Sequence, residues 1–333
     1  MLVTPSNPIL TQTFDTSDIA FTEIDKEITV LKQQIRALHT FRNTFTPIYR
    51  LPAEVLARIF SFTRYARAHR VYTRKPMTPS WVVVTHVSQH WSNVALTSPN
   101  LWSHLSSSYP TPIVDLWLQR SKCTPLSVDH KNFSAKNAQL VSESLLRTRE
   151  LSVELGADSW KALENSLSSP APLLESLSVS ISADLQLSSL IEPVDCQFSA
   201  GLFAGIAPQL RGLKLNRCSV GIKSSLFTDL TVLRLRQPPQ KFSMMEILAV
   251  VSRFPRLTFL TLSHTLRPDA DPVPPAFDII SLSSLKSLTI EGRSFVQDLD
   301  LLSHFSYPSN SKLWFNSDTT TGDALSVLSD FLK

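Results

Sequence analysis

His86 and His90 stand four residues apart in a stretch of helical periodicity, the spacing at which two imidazoles on one helix face bind zinc. Val87, Ser88 and Gln89 lie between them. The glutamate that a zinc protease uses as general base is therefore missing, and the two histidines are expected to flank an apolar face made by Val87 and Trp91. Cys123, Cys196 and Cys218 are far apart and form no C-x-x-C pair. That spacing predicts small buried groups in a reducing compartment, not a disulfide framework or a zinc ribbon. No G-x-S-x-G elbow presents a serine nucleophile. Only 7 glycines occur, and none builds the G-x-G-x-x-G or G-x-x-x-x-G-K loop whose backbone N–H groups cradle phosphate. The residue chemistry thus predicts no catalytic residues, no metal and no cofactor.

Charge argues against nucleic acid as a partner. The net charge of +4 is small and dispersed. One local cluster, Arg64, Arg67, His69, Arg70, Arg74 and Lys75 with Tyr65 and Tyr72, has the basic and aromatic mixture that single strands use. No second cluster extends it into a phosphate track, so a solvated loop or helix face is expected. No apolar run approaches the roughly 18 residues of a membrane span, and the start MLVTPSNPIL lacks the basic-then-apolar order of a signal peptide. These features predict no membrane partner and a cytoplasmic or nuclear location.

At 333 residues the chain exceeds one core, which rarely grows past about 250 to 300 residues, so two unlike domains are expected. Leucine is distributed accordingly, with 7 in residues 1–100 and 41 in 101–333. Residues 1–20 are aperiodic and predict a flexible tail. Over 21–45, Ile24, Ile28, Leu31, Ile35, Leu38 and Phe45 make one helical stripe, and Thr22 with Asp25 marks its start. With Arg42 in the seam, that stripe is expected to lie against the next module; a short dimerising coiled coil is the alternative.

Residues 46–105 read TPIYRLPAEVLARIFSF, then the basic insert 63–80, then WVVVTHVSQHWSNVALTSPNLWSHL. Pro52 and Glu54 suit a helix start. Val55, Leu56, Ile59 and Phe60 share a helical face, and Val83, Val87, Trp91, Val94 and Ala95 predict a second helix ended by Ser98-Pro99. Three motifs in order carry a resemblance: Leu51-Pro52-x-Glu54-Val55-Leu56-x-x-Ile59-Phe60, Val87-Ser88-x-x-Trp91, and Pro99-x-Leu101-Trp102. With the helix that begins Ile24-Asp25-Lys26-Glu27-Ile28, residues 24–128 resemble the F-box-like proteins of mushroom-type fungi. The resemblance implies a small helical unit docking on the Skp adaptor, and through it a cullin, of an SCF-type cullin-RING ubiquitin ligase. It implies that Leu51, Pro52, Val55, Leu56, Ile59, Phe60, Val87 and Trp91 supply or support that surface. The stretch from Phe62 to Val84 is longer than a compact F-box needs, which displaces or interrupts the module's second helix.

In 113–333 the pattern L-x-[LVIF] recurs with its first leucine at 126, 151, 177, 213, 233, 260, 288 and 313. Five of these extend to L-x-x-L-x-[LVI], starting at Leu174, Leu210, Leu230, Leu257 and Leu285. Alternation at period 2 means strands with one buried face, and Ser243 with Glu246 signals a capped helix between two of them. One strand plus one helix in about 20 to 29 residues is the pattern of leucine-rich repeats, which stack because no unit buries its apolar face alone. The 36-residue interval after Leu177 predicts an insertion around 182–207, and Cys218 follows Leu215 where such repeats often place asparagine. The fold expected is α+β and multidomain: a helical F-box module, a separator near 106–112, and an α/β leucine-rich-repeat solenoid with parallel strands on its concave face.

Side chains beside each first leucine point outward onto that face. They include Glu150, Ser152 and Glu154 early, Lys214, Arg234 and Arg236 centrally, and Phe259, Trp314 and Asn316 late. Arginines grip carboxylate and phosphate in a forked geometry, so Lys214, Arg234, Arg236, Phe259 and Trp314 are the candidate substrate-binding residues. The resulting expectation is a non-catalytic adaptor that holds a protein substrate. The alternative is a leucine-rich interaction scaffold without ligase function.

Overall fold

The computed structural model describes residues 17–66, 80–107, 109–182, 196–199, 201–221, 226–267 and 278–317. It is a mixed helix and strand chain with a helical N-terminal region and a parallel sheet of nine strands. Two compact units divide between Leu101 and Trp102.

The first unit carries α1 (Ser17–Thr44), a 3-10 turn at Pro47–Arg50, α2 (Ala53–Ala66), a 3-10 helix at Ser80–His86 and α3 (Gln89–Thr97). Pro52 precedes α2, and its carbonyl accepts the Leu56 N–H at 3.1 Å, opening the helix without wasting the donor that proline lacks. Leu56 and Phe60 are buried with Trp81, Val84, Val94, Ala95 and Leu101 in a small core. The helix expected from Val83 to Ala95 is instead two pieces. Ser88 is extended, at φ −159 and ψ 161, and its Oγ accepts the Trp91 N–H at 3.2 Å, so the chain stops one helix and caps the next. The start of α1 at Ser17 lies ahead of the Thr22 and Asp25 signal. Its stripe does not lie against the rest of the unit as expected: Ile24, Ile28, Leu31, Ile35, Leu38 and Phe45 are all exposed. At 28 residues α1 spans about 42 Å, twice the length of the 14-residue α2, so most of the stripe has no facing element of its own length. Residues 1–16 of the expected tail and 67–79 of the basic insert fall outside the described residues.

The second unit begins with β1 (His104–Ser106), α4 (Thr111–Ser121), β2 (Leu126–Phe133), α5 (Ala135–Ser144) and β3 (Thr148–Leu155). It continues with α6 (Trp160–Ser166), β4 (Ser176–Ile181), β5 (Gln197–Phe198), β6 (Gly212–Asn216), β7 (Ser219–Val220) and β8 (Val232–Arg236). α7 (Met244–Val251), β9 (Phe259–Ser263), β10 (Ile280–Ser281), β11 (Ser287–Gly292), α8 (Phe295–Ser303), β12 (Phe305–Ser306) and β13 (Lys312–Ser317) complete it. The large sheet runs β1-β2-β3-β4-β6-β8-β9-β11-β13, each new strand laid parallel beside the last; β5 with β7 and β10 with β12 form two small parallel pairs. Strand β1 comes from the segment assigned by sequence to the helical module, because Leu105 aligns with Val128 and is buried there.

Register makes the alternation concrete. One column, buried from Leu105 to Leu288, is Leu105–Val128–Leu151–Leu177–Leu213–Leu233–Leu260–Leu288–Leu313, its last member on the edge strand β13 remaining exposed. Leu126, the first leucine of its motif, pairs with Thr148, and it is Val128, two residues on, that stands opposite Leu151; the register also slips by one between Leu126 and Ser127. The leucines that precede the strands, Leu174, Leu210, Leu230, Leu257 and Leu285, are buried as a further layer. Each fully buried leucine stabilises by roughly 1.5 to 3 kcal/mol, so this column and layer dominate the unit's cohesion. Before the strands a backbone ladder already runs across neighbours, with Arg211 donating to Glu175, Thr231 to Arg211, Thr258 to Thr231 and Lys286 to Thr258 at 2.7 to 2.9 Å. Of the expected insertion 182–207, residues 183–195 lie outside the described residues; the described remainder includes β5, which pairs with β7.

Candidate docking surfaces

The first candidate surface is on α2. Leu56 and Phe60 turn into the small core, where the Phe60 and Trp91 rings lie 5.1 Å apart. Val55, Ile59 and Phe62, at i, i+4 and i+7, form a second stripe that is 42%, 39% and 63% exposed. The inner face of the helix is already packed, and among the described residues this stripe stays exposed, which makes it a candidate docking surface. Of the other residues expected here, Pro52 and Val87 are exposed, and Leu51 and Trp91 are half-buried. The eight therefore separate into contact and support: Leu56 and Phe60 hold the helix from beneath and cannot themselves meet a partner. Phe62 and Val83, both exposed, were not among the expected docking residues; continuing the Val55–Ile59 spacing by three reaches Phe62, and Val83 already stood four before Val87 on the predicted second helix.

His86 and His90 lie on either side of the break at Ser88, so they do not sit one turn apart on a single helix. The His90 ring packs on Tyr49 at 4.5 Å. No group of three or more His, Cys, Asp or Glu side chains with metal-holding geometry occurs among the described residues. Cys196 and Cys218 are buried and Cys123 is exposed, so the expectation of small buried groups fits two of the three. The Cys218 thiol donates to the Val179 carbonyl at 3.6 Å, and burial pushes its pKa up to about 12, which keeps it protonated and unreactive.

The second candidate surface is the outward face of the sheet. Register assembles it into three rows. The middle row is Asp129–Ser152–Ser178–Lys214–Arg234–Thr261–Thr289–Trp314. A second row runs Glu154–Ser180–Asn216–Arg236–Ser263–Glu291–Asn316, and a third places Phe259 between Val232 and Ser287. Lys214 and Arg234 are direct cross-strand neighbours, about 4.8 Å apart along the sheet. Arg236 follows on the same face of β8. Among the described residues none of these three side chains has a hydrogen-bond or ion-pair partner, whereas Arg149 and Arg211 nearby pair with Glu175 at 3.6 Å and Asp229 at 3.7 Å. Like charges directly opposite on a sheet destabilise it by a few tenths of a kcal/mol or more, so the Lys214–Arg234 pair is a standing cost that a bound anion would relieve. Beside Arg236 a shallow cavity of about 510 Å³ is lined by Glu154, Asn216, Ser263 and Glu291. Phe259 is exposed on the neighbouring strand β9. The structure does not bring Trp314 to this cluster: it lies on β13, three strands from Arg234, about 14 Å along the sheet.

No helix among the described residues is long and apolar enough to cross a membrane. No family model matches this chain, and no curated protein or solved structure matches it.

Proposed function

We propose that this chain is a non-catalytic substrate-recognition subunit of an SCF-type cullin-RING ubiquitin ligase. In this reading the helical unit is an F-box that docks on the Skp adaptor, and the sheet unit is a leucine-rich-repeat solenoid that holds the protein substrate. The observation that carries it is the exposed Val55–Ile59–Phe62 stripe on a helix whose other face, Leu56 and Phe60, is already saturated by its own core. A contiguous exposed apolar patch of this kind on a packed helix is the sort of surface that marks a protein-interaction site. The L-P-x-E-V-L-x-x-I-F run that supplies Val55 and Ile59 of the stripe is also the run that resembles the F-box.

The substrate side rests on Lys214, Arg234 and Arg236, three unpaired cations on two adjacent strands beside the exposed ring of Phe259. They suit an acidic or phosphorylated segment lying across the strands, each guanidinium meeting two oxygens at once. The chain then acts by proximity. Holding a substrate beside a ubiquitin-charged partner raises the effective concentration of its lysines without any bond being made or broken by this protein.

The deciding experiment is co-purification of the full chain with a Skp adaptor, compared with Val55→Asp/Ile59→Asp and with Leu51→Ala/Pro52→Ala. The wild-type chain is expected to form a stable complex, and the first variant to lose it while melting at the wild-type temperature. Failure of the unaltered chain to bind, or full binding by the Val55→Asp/Ile59→Asp chain, overturns the adaptor reading and leaves the scaffold.

A further inference from the structure

We infer that α1 is one strand of a parallel two-stranded coiled coil whose other strand is α1 of a second copy of this chain. Eight large apolar residues of α1, from Phe21 to Phe41, are 39 to 69% exposed, more than any other element shows among the described residues, and Phe45 just beyond it is 66% exposed. A helix in water is held chiefly by packing of its apolar face, and the described residues leave most of the α1 stripe uncovered, with Phe41 meeting Phe45 at 5.0 Å near its C-terminal end.

The spacing of the stripe identifies its partner. Steps of three and four alternate without drift from Phe21 to Leu38, a 3.5-residue period that suits a supercoiled seam, not a helix laid on a globular surface. Phe21, Ile28 and Ile35 take the first core position of each heptad, and Ile24, Leu31, Leu38 and Phe45 take the second. β-Branched residues at the first position with leucine at the second favour two parallel strands over three or four. Charge selects the same arrangement. In a parallel, in-register pair the residue just before one core position faces the residue five further along the partner, which sets Glu27 against Lys32 of the second copy, twice by symmetry. An antiparallel pair would instead bring Glu27 toward the uncharged Gln34 or Phe41 positions. Arg42 falls at the fourth first-type position, where a single polar residue fixes register at some cost in stability. Because one helix carries both complementary charges, its own copy is the strand it fits.

The proposal rests on α1 alone and is independent of what the other surfaces bind. Light scattering on the purified full chain is expected to give a dimer that becomes monomeric on Ile28→Asp/Leu31→Asp, with the melting temperature of the sheet unit unchanged. A Leu38→Cys chain in a Cys123→Ser background should cross-link to a covalent dimer under mild oxidation. A monomeric wild-type chain at micromolar concentration, a dimer that survives Ile28→Asp/Leu31→Asp, or a Leu38→Cys chain that does not cross-link each overturns it; the last points to antiparallel pairing.

Discussion

His130 occupies the second inward column of the sheet, whose register partners are Val153, Val179, Leu215, Leu235, Leu262, Ile290 and Phe315. It is 1% exposed, and neither ring nitrogen has a hydrogen-bond partner among the described residues. Burial pushes its pKa below the ordinary 6.5, with the neighbouring Asp129 carboxylate opposing the shift. The sign follows directly. Above pH 6.5 neither state holds the extra proton; as pH falls below 6.5 the unfolded chain takes it up and the folded chain does not, so stability declines until the lowered folded pKa is reached and then levels. Urea melts at pH 7.5 and 5.5 are expected to show this loss, and His130→Leu to remove it while adding about 1 kcal/mol at neutral pH by deleting unmet polar groups. A pH response unchanged by His130→Leu would assign the loss elsewhere. His130 was legible in principle: alternation from Leu126 and Val128 points it inward, but a histidine in a leucine column reads as a surface residue until the register is known.

At the scale of elements, α7 was the most legible. Ser243 Oγ accepts the Glu246 N–H at 3.2 Å and the Glu246 carboxylate accepts the Ser243 N–H at 2.8 Å, the reciprocal box that S-x-x-E announces, and Ile247, Leu248 and Val251 are buried behind it. Ser243→Ala is expected to cost about 1 kcal/mol in denaturant unfolding, and Ser243→Asp to recover most of it. Equal stability of Ser243→Ala and wild type would show that packing alone holds the helix. The segment 83–95 was misread for the opposite reason. Its apolar spacing continues across Ser88, and periodicity cannot register that one serine prefers to cap the following turn instead of joining it. Leu126 shows the same limit in a strand, since the motif locates the strand but it is Val128, not its first leucine, that stands opposite Leu151.

For the molecule as a whole, the outward cations are placed where stability gains nothing from them. Arg234→Glu with Arg236→Glu is therefore expected to reduce retention on a polyglutamate or phosphopeptide resin at least tenfold while leaving the melting temperature within about 2 °C. Retention by the wild-type chain should also weaken as salt rises from 0.05 to about 0.5 M, because exposed charges are screened over a shorter distance. Unchanged retention by the double variant would remove the basic cluster from any binding role. Periodic leucines alone determined that strands would recur and which residues of each would alternate, because alternation is local and each L-x-L reports its own pleat. The stripe on α1 and its heptad spacing were equally plain in the chain. Tertiary structure alone decided which strands stand side by side, and so that Lys214 meets Arg234 while Trp314 stands three strands away. It alone decided that Leu56 is buried while its neighbour Val55 faces solvent, and that the described residues leave the α1 stripe exposed. Those outcomes depend on which surfaces find partners at long sequence separation, and local spacing carries no record of that.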